Sequence, residues 1–197
     1  MTQHPIDPVR RGCAVLAAGV LFGAPPWAQA HQGAGMVRPP QTPPSLQVTP
    51  VSGPSKGLAD MLARRITAVQ LMFTGCSATC PLQGALFAEL QARLAGAPAE
   101  LQLLSISIDP LGDDAKALAA WLQRFGAQPS RWTAALPALR DVDRLQDFFN
   151  GRAVGPDRHT PQVYLFDRSA RLVFRSVDFP GTQEIGRLMT ELAASSR

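Results

Sequence analysis

No stretch of this chain concentrates positive charge: its 19 lysines and arginines stand singly or in pairs, with no basic run interleaved with aromatics. A formal net charge of +4 spread this way describes a solvated surface and argues against a nucleic-acid partner. An apolar run of the roughly 20 residues a membrane span needs is also missing. Cysteine is scarce, with three residues in 197, and so is histidine, again with three. The two cysteines that lie close together, Cys76 and Cys80, would close only a tiny loop, which cannot staple a large fold. There is no internal repeat. With 46% hydrophobic residues the chain has the composition of a globular protein rather than a disordered one, and its length suits one well-formed core.

What is present begins with an export pattern. Arg10 and Arg11 precede an apolar stretch from Cys13 to Ala24, and Pro25-Pro26 and Ala28-Gln29-Ala30 follow. This is the order of a positive n-region, a short h-region and an A-x-A cleavage site, so residues 1–30 are expected to be a signal peptide. The expected location is the periplasm, or the outer face of the inner membrane if the segment stays uncleaved as an anchor. Cleavage after Ala30 would remove His4 and Cys13 and leave two cysteines, Cys76 and Cys80, and two histidines, His31 and His159. His31 would then be the N-terminal residue, where amine and imidazole can chelate a transition-metal ion together, with Met36 nearby as a soft ligand; the plainer reading is a disordered leader.

Residues 31–45 are rich in Pro, Gly and Gln and read as a flexible leader. A single domain is expected over 46–197. A short strand around Leu46–Val48 and a helical turn over Leu58–Leu62 come first. Ala68–Phe73 is a compact apolar run of strand length. Leu82, Leu86, Phe87, Leu90 and Leu94 then recur at helical spacing. Leu101–Ile108 reads as a buried strand, Asp113–Phe125 as a helix, and Val142 to Phe149 as another helix ending at Asn150-Gly151. Val163–Phe166 and Leu172–Ser176 form a hairpin around Asp167–Ala170, and a last helix opens at Thr182 or Gln183. This order gives an α/β protein with a mixed central sheet flanked by helices on both faces, as in a thioredoxin-like fold.

The segment that carries chemistry is Phe73-Thr74-Gly75-Cys76-Ser77-Ala78-Thr79-Cys80-Pro81, between a buried strand and an amphipathic helix. Cys76 falls near a helix N-cap, where unpaired N–H groups and the helix dipole favour a thiolate. Cys80, one turn on, is expected to face the same side. Two such sulfurs make a soft claw for Cu(I) or zinc, and they can equally close a disulfide. The spacing has one residue more than the C-x-x-C of the usual oxidoreductase. His159, in Arg158-His159-Thr160-Pro161 before a strand, is the natural candidate for a third ligand, the alternative being a solvated loop histidine, with Pro161 at a position often held cis.

Together, residues 73–81, Ser105-Ile106-Ser107-Ile108-Asp109-Pro110 and His159-Thr160-Pro161 resemble the Sco/SenC family of thioredoxin-like copper proteins, over roughly Leu58 to Leu192. The resemblance implies that Cys76, Cys80 and His159 bind Cu(I) or Cu(II). It also implies a partner in the copper-site subunit of cytochrome c oxidase, or in another copper chaperone. Two features depart from the family pattern: Gly75 stands before the first cysteine, and the first β-hairpin is hard to find in residues 46–67. Asp109 matches the family's Ile-Asp-Pro element, either as a strand-end cap or as a partner contact. Two activities follow. One is a metallochaperone that exchanges ligands without turnover. The other is a thiol–disulfide oxidoreductase in which Cys76 attacks and Cys80 resolves, acting as or with a thiol reductant. A peroxidase-like reading shares the fold but finds no further catalytic set.

Overall fold

The computed structural model describes Met1 and residues 33–155 and 158–195. Residues 2–30 of the expected signal peptide, Cys13 among them, and His31 lie outside them. Among the described residues no helix is long and apolar enough to cross a membrane.

The described strands are β1 (Gly35–Gln41), β2 (Gln47–Pro50), β3 (Lys56–Gly57), β4 (Ile66–Met72), β5 (Leu101–Ser107), β6 (Trp132–Pro137), β7 (Tyr164–Phe166) and β8 (Leu172–Arg175). The helices are α1 (Leu58–Leu62), α2 (Thr79–Arg93), α3 (Ala115–Arg124), α4 (Val142–Phe149) and α5 (Thr182–Ser195). One sheet runs in the order β1-β8-β7-β4-β5-β6-β2-β3. β4, β5 and β6 are parallel, and the strands on either side pair antiparallel. This is the mixed, thioredoxin-like α/β architecture expected from the element order.

Every residue of β4 and β5 is buried, which requires cover on both faces of the sheet. The register shows which helix covers which. Leu103 pairs with Trp132, and the Trp132 ring meets Phe87 of α2 and Trp121 of α3 at centroid distances of 5.6 Å each. Val69 pairs with Tyr164, one residue out of phase and so on the opposite face. There Phe149 of α4 packs on Tyr164 and Phe166 at 4.7 and 5.9 Å.

Three sequence expectations need correction. The flexible leader over 31–45 becomes, from Gly35, the edge strand β1 paired with β8; prolines suit an edge because no ladder bond is asked of their missing N–H. The hairpin that was hard to find in 46–67 is β2–β3, kept short by Ser52-Gly53-Pro54 between its arms. β6 was not foreseen, because Trp132-Thr133-Ala134-Ala135 offers little periodicity before Pro137. It forms where partners wait on both sides, β5 and β2.

Candidate metal centre

The cysteine turn and the histidine loop meet because of strand direction. β4 and β5 are parallel, and Phe73 and Ile108 continue them past the same end of the sheet, where Ile108 N–H donates to Met72 O at 2.9 Å. β7 runs antiparallel to β4, with Thr67 opposite Phe166 and Val69 opposite Tyr164. The chain just before β7 therefore comes from beyond the end of β4, beside the cysteine turn. A crevice outside the carboxyl ends of parallel strands is where α/β sheets place their sites.

α2 begins at Thr79. Its N-cap is Ala78, which has no side-chain cap bond, so Cys80 lies inside the first turn and Cys76 precedes the helix. Cys76 N–H donates to Phe73 O at 3.2 Å, closing a tight turn. The Cys80 N–H then donates to Cys76 Sγ at 3.3 Å. A sulfur thus occupies the place that a capping oxygen usually takes at an exposed helix N-terminus. This fold-back, rather than a shared helical face, brings the cysteines together.

His159 Nε2 lies 3.4 Å from Cys80 Sγ. Its Nδ1 is 3.1 Å from Thr160 O; with Nδ1–H donating there, Nε2 presents its lone pair toward the sulfur. Cys80 and His159 are each 1% exposed, whereas Cys76 is half-buried. Solvent therefore meets Cys76 first. The ring of Phe73 stands edge-on to His159, 6.1 Å between centroids. The Thr160–Pro161 bond is trans, contrary to expectation; among the described residues the cis peptide is Arg38–Pro39. Met36 sits exposed on edge strand β1.

Two carboxylates tie together the loops that border the site. Asp113, buried at 6% exposure, is not the cap of α3; Asp114 is, accepting from Ala117 N–H at 2.7 Å. Asp113 instead accepts from Thr74 N–H at 3.1 Å, from the Thr74 hydroxyl, and from Ser107 Oγ at 2.7 Å. It ties the residue two before Cys76 to the end of β5. Asp109 N–H donates to the same Ser107 Oγ at 3.0 Å, while its side chain pairs with Arg158 at 2.9 Å. An Asp just after a strand and before a helix start is the sequence signal for such a tie, but nothing local says which loop it serves.

The donor chemistry suits copper: two sulfurs and an imidazole, with the nearby carboxylates of Asp109 and Asp113 engaged elsewhere. As the side chains stand, no three His, Cys, Asp or Glu among the described residues form an ion-holding group. Cys80 and His159 touch, and Cys76 is joined to Cys80 through its amide.

The sequence model of the SCO1/SenC family matches residues 58–193. No curated protein matches the chain in sequence. Among solved structures it is similar to a SCO1/SenC family lipoprotein of Bacillus anthracis str. Ames, with 26% identity over 80% of this chain and 99% of that one, at a TM-score of 0.68. It is also similar to yeast Sco1 with copper bound, with 17% identity over 79% and 90% and a TM-score of 0.66. A third is BsSco, described with a disulfide switch as a member of the Sco family of cytochrome c oxidase assembly proteins, with 17% identity over 80% and 96% and a TM-score of 0.67. The match to the family's sequence model spans α1 to α5, with both cysteines and the histidine inside it, and on that ground the chain belongs to the SCO1/SenC family.

Proposed function

We propose that this protein is an exported copper metallochaperone that holds its cargo through Cys76, Cys80 and His159 and serves assembly of the copper centre of cytochrome c oxidase. The observation that carries the reading is the 3.4 Å approach of His159 Nε2 to Cys80 Sγ across 79 residues of sequence. Copper bound to yeast Sco1 supports the choice of metal, and the oxidase-assembly role of the Sco family to which BsSco belongs supports the destination. The n-region, apolar segment and A-x-A pattern support export.

Loading would draw the Cys76 sulfur off the Cys80 amide and onto the Cys80–His159 pair. Both sulfurs then bind as thiolates, releasing protons. Two thiolates favour Cu(I), and the imidazole extends the site to Cu(II). Delivery is exchange of these ligands for the partner's.

The reduced protein is expected to bind copper stoichiometrically. His159→Ala should weaken it by more than the roughly 10–100-fold that loss of an outer-shell partner costs. Competition titration against a chelator of known affinity measures this. An unchanged affinity in the variant rejects the three-ligand reading.

One observation favours a second reading, thiol–disulfide exchange. A half-exposed Cys76 before the helix and a buried Cys80 inside it have the asymmetry of an attacking and a resolving thiol. If His159→Ala keeps full copper affinity and full disulfide exchange, that reading replaces the first.

A further inference from the structure

We propose that Arg158 is a positioning residue, a latch that holds His159 against Cys80 and keeps the pair closed to solvent. The inference rests on the reading of His159 as a ligand for its importance, but not for its test.

Arg158 joins three segments that border the site. Its guanidinium pairs with Asp109 Oδ2 at 2.9 Å, on the loop after β5. The same group lies over the Phe73 ring, 4.4 Å from the centroid, at the end of β4. That ring is the one that stands edge-on to His159. Phe73 is thus clamped between the cation and the imidazole of consecutive residues. The Arg158 carbonyl accepts from Gln146 Nε2 at 3.3 Å, on α4.

The backbone of Arg158 is left-handed, φ 58°, a conformation that a residue with a side chain adopts only at a cost. Its side-chain contacts offset that cost, so releasing them lets the backbone leave this well and take His159 with it. Asp109 makes a firm foot for the latch: its N–H is bound to Ser107 Oγ, which is bound to buried Asp113, which holds the cysteine turn. One chain of bonds therefore runs from the residue before His159 to the residue two before Cys76.

The latch itself is half-exposed, with Arg158 at 49% and Asp109 at 29% side-chain exposure, while the pair beneath it is buried. An exposed ion pair and an exposed cation–π contact are each modest, which suits a closure that must open for cargo to pass. An anionic group on a docking protein can compete with Asp109 for the guanidinium.

The test uses the full chain, reduced and metal-free, with iodoacetamide as probe and mass spectrometry to follow each cysteine. In the parent, Cys80 should react far more slowly than Cys76. Arg158→Ala should speed alkylation of Cys80 about tenfold, the combined worth of the two contacts, leaving the Cys76 rate and the thermal midpoint unchanged. Asp109→Asn should give a smaller rise. Arg158→Lys, which restores the charge but not the planar stack, should recover part of the protection. If Cys80 stays as slow as in the parent in both Arg158→Ala and Asp109→Asn, the proposal is overturned. It is overturned equally if both cysteines accelerate together as the midpoint falls, since that is general loosening. Should Arg158→Ala expose Cys80 while His159→Ala leaves copper affinity intact, the latch stands and the copper reading fails.

Discussion

The cysteine turn and the histidine loop supply the two halves of the proposed site, yet they are held in different ways. The turn is local. A backbone bond from Cys76 to Phe73 and an amide–sulfur bond from Cys80 to Cys76 shape it within eight residues, and the buried carboxylate of Asp113 fixes it to β5. The loop is held by contacts on either side of His159. It rests on a backbone bond from Thr160 N–H to Gly151 O at 2.8 Å, a hydroxyl pair between Thr160 and Tyr164 at 2.9 Å, and the half-exposed Arg158 contacts. The difference teaches that the rigid half presents the sulfurs and the looser half brings the imidazole. On the proposed reading, opening and closing of the site falls to the loop.

The largest effect that tests this contrast is on the rigid half. Asp113→Ala leaves the part-buried Thr74 N–H and hydroxyl and the buried Ser107 hydroxyl without their acceptor. An expected loss of about 3 kcal/mol or more follows from stranding several donors at once. Urea unfolding measures it, and a loss below that of an ordinary surface substitution would show that the turn is held by other means.

Next comes alkaline pH acting on the loose half. Burial pushes the Tyr164 hydroxyl up to about 12, partly opposed by its bond with Thr160. The folded state therefore favours the neutral phenol more than the unfolded state does. That stability is fully present below about pH 10, the unfolded value, and is lost as pH rises through about 12. With 1.36 kcal/mol per pKa unit the loss approaches about 2.7 kcal/mol. Tyr164 is the single tyrosine of the chain, so phenolate absorbance follows it alone, and Tyr164→Phe should flatten the pH profile of unfolding above pH ~10.

Smaller again is Gly151→Ala. A Cβ there would come within 2.5 Å of Leu71 Cδ1, in a fully buried layer, and Gly151 O is the acceptor for Thr160 N–H. Overpacking of this kind costs about 1–3 kcal/mol. In the reduced protein the displaced loop should also expose Cys80 to alkylation more than Cys76. Equal acceleration of both cysteines would show that the two halves move as one.

Much of this was legible from sequence. The central strands, α2, α3, α4 and α5 were within a few residues of their observed ends, because buried apolar runs and helical spacing are local signals. The edges were harder. β1 hides in a proline-rich stretch and β6 in an alanine-rich one, and both are strands only because a neighbouring strand offers them bonds. Cys76 and Cys80 stood out by spacing and isolation, whereas Asp113, Phe73 and Arg158 did not. Their roles depend on partners 39, 85 and 49 residues away, and no window of sequence contains such pairs.

By itself, then, the sequence determined the α/β class, the two sulfurs four apart, and a histidine ahead of a strand. Tertiary structure decided the rest. It set Cys76 ahead of the helix rather than on its face, kept Thr160–Pro161 trans, and closed Arg158 over Phe73 onto Asp109. The physical reason is direction: β7 runs against β4, so its leading loop must arrive where β4 ends. Which side chains then lock that meeting depends on distances between segments, and periodicity along one segment carries none of that information.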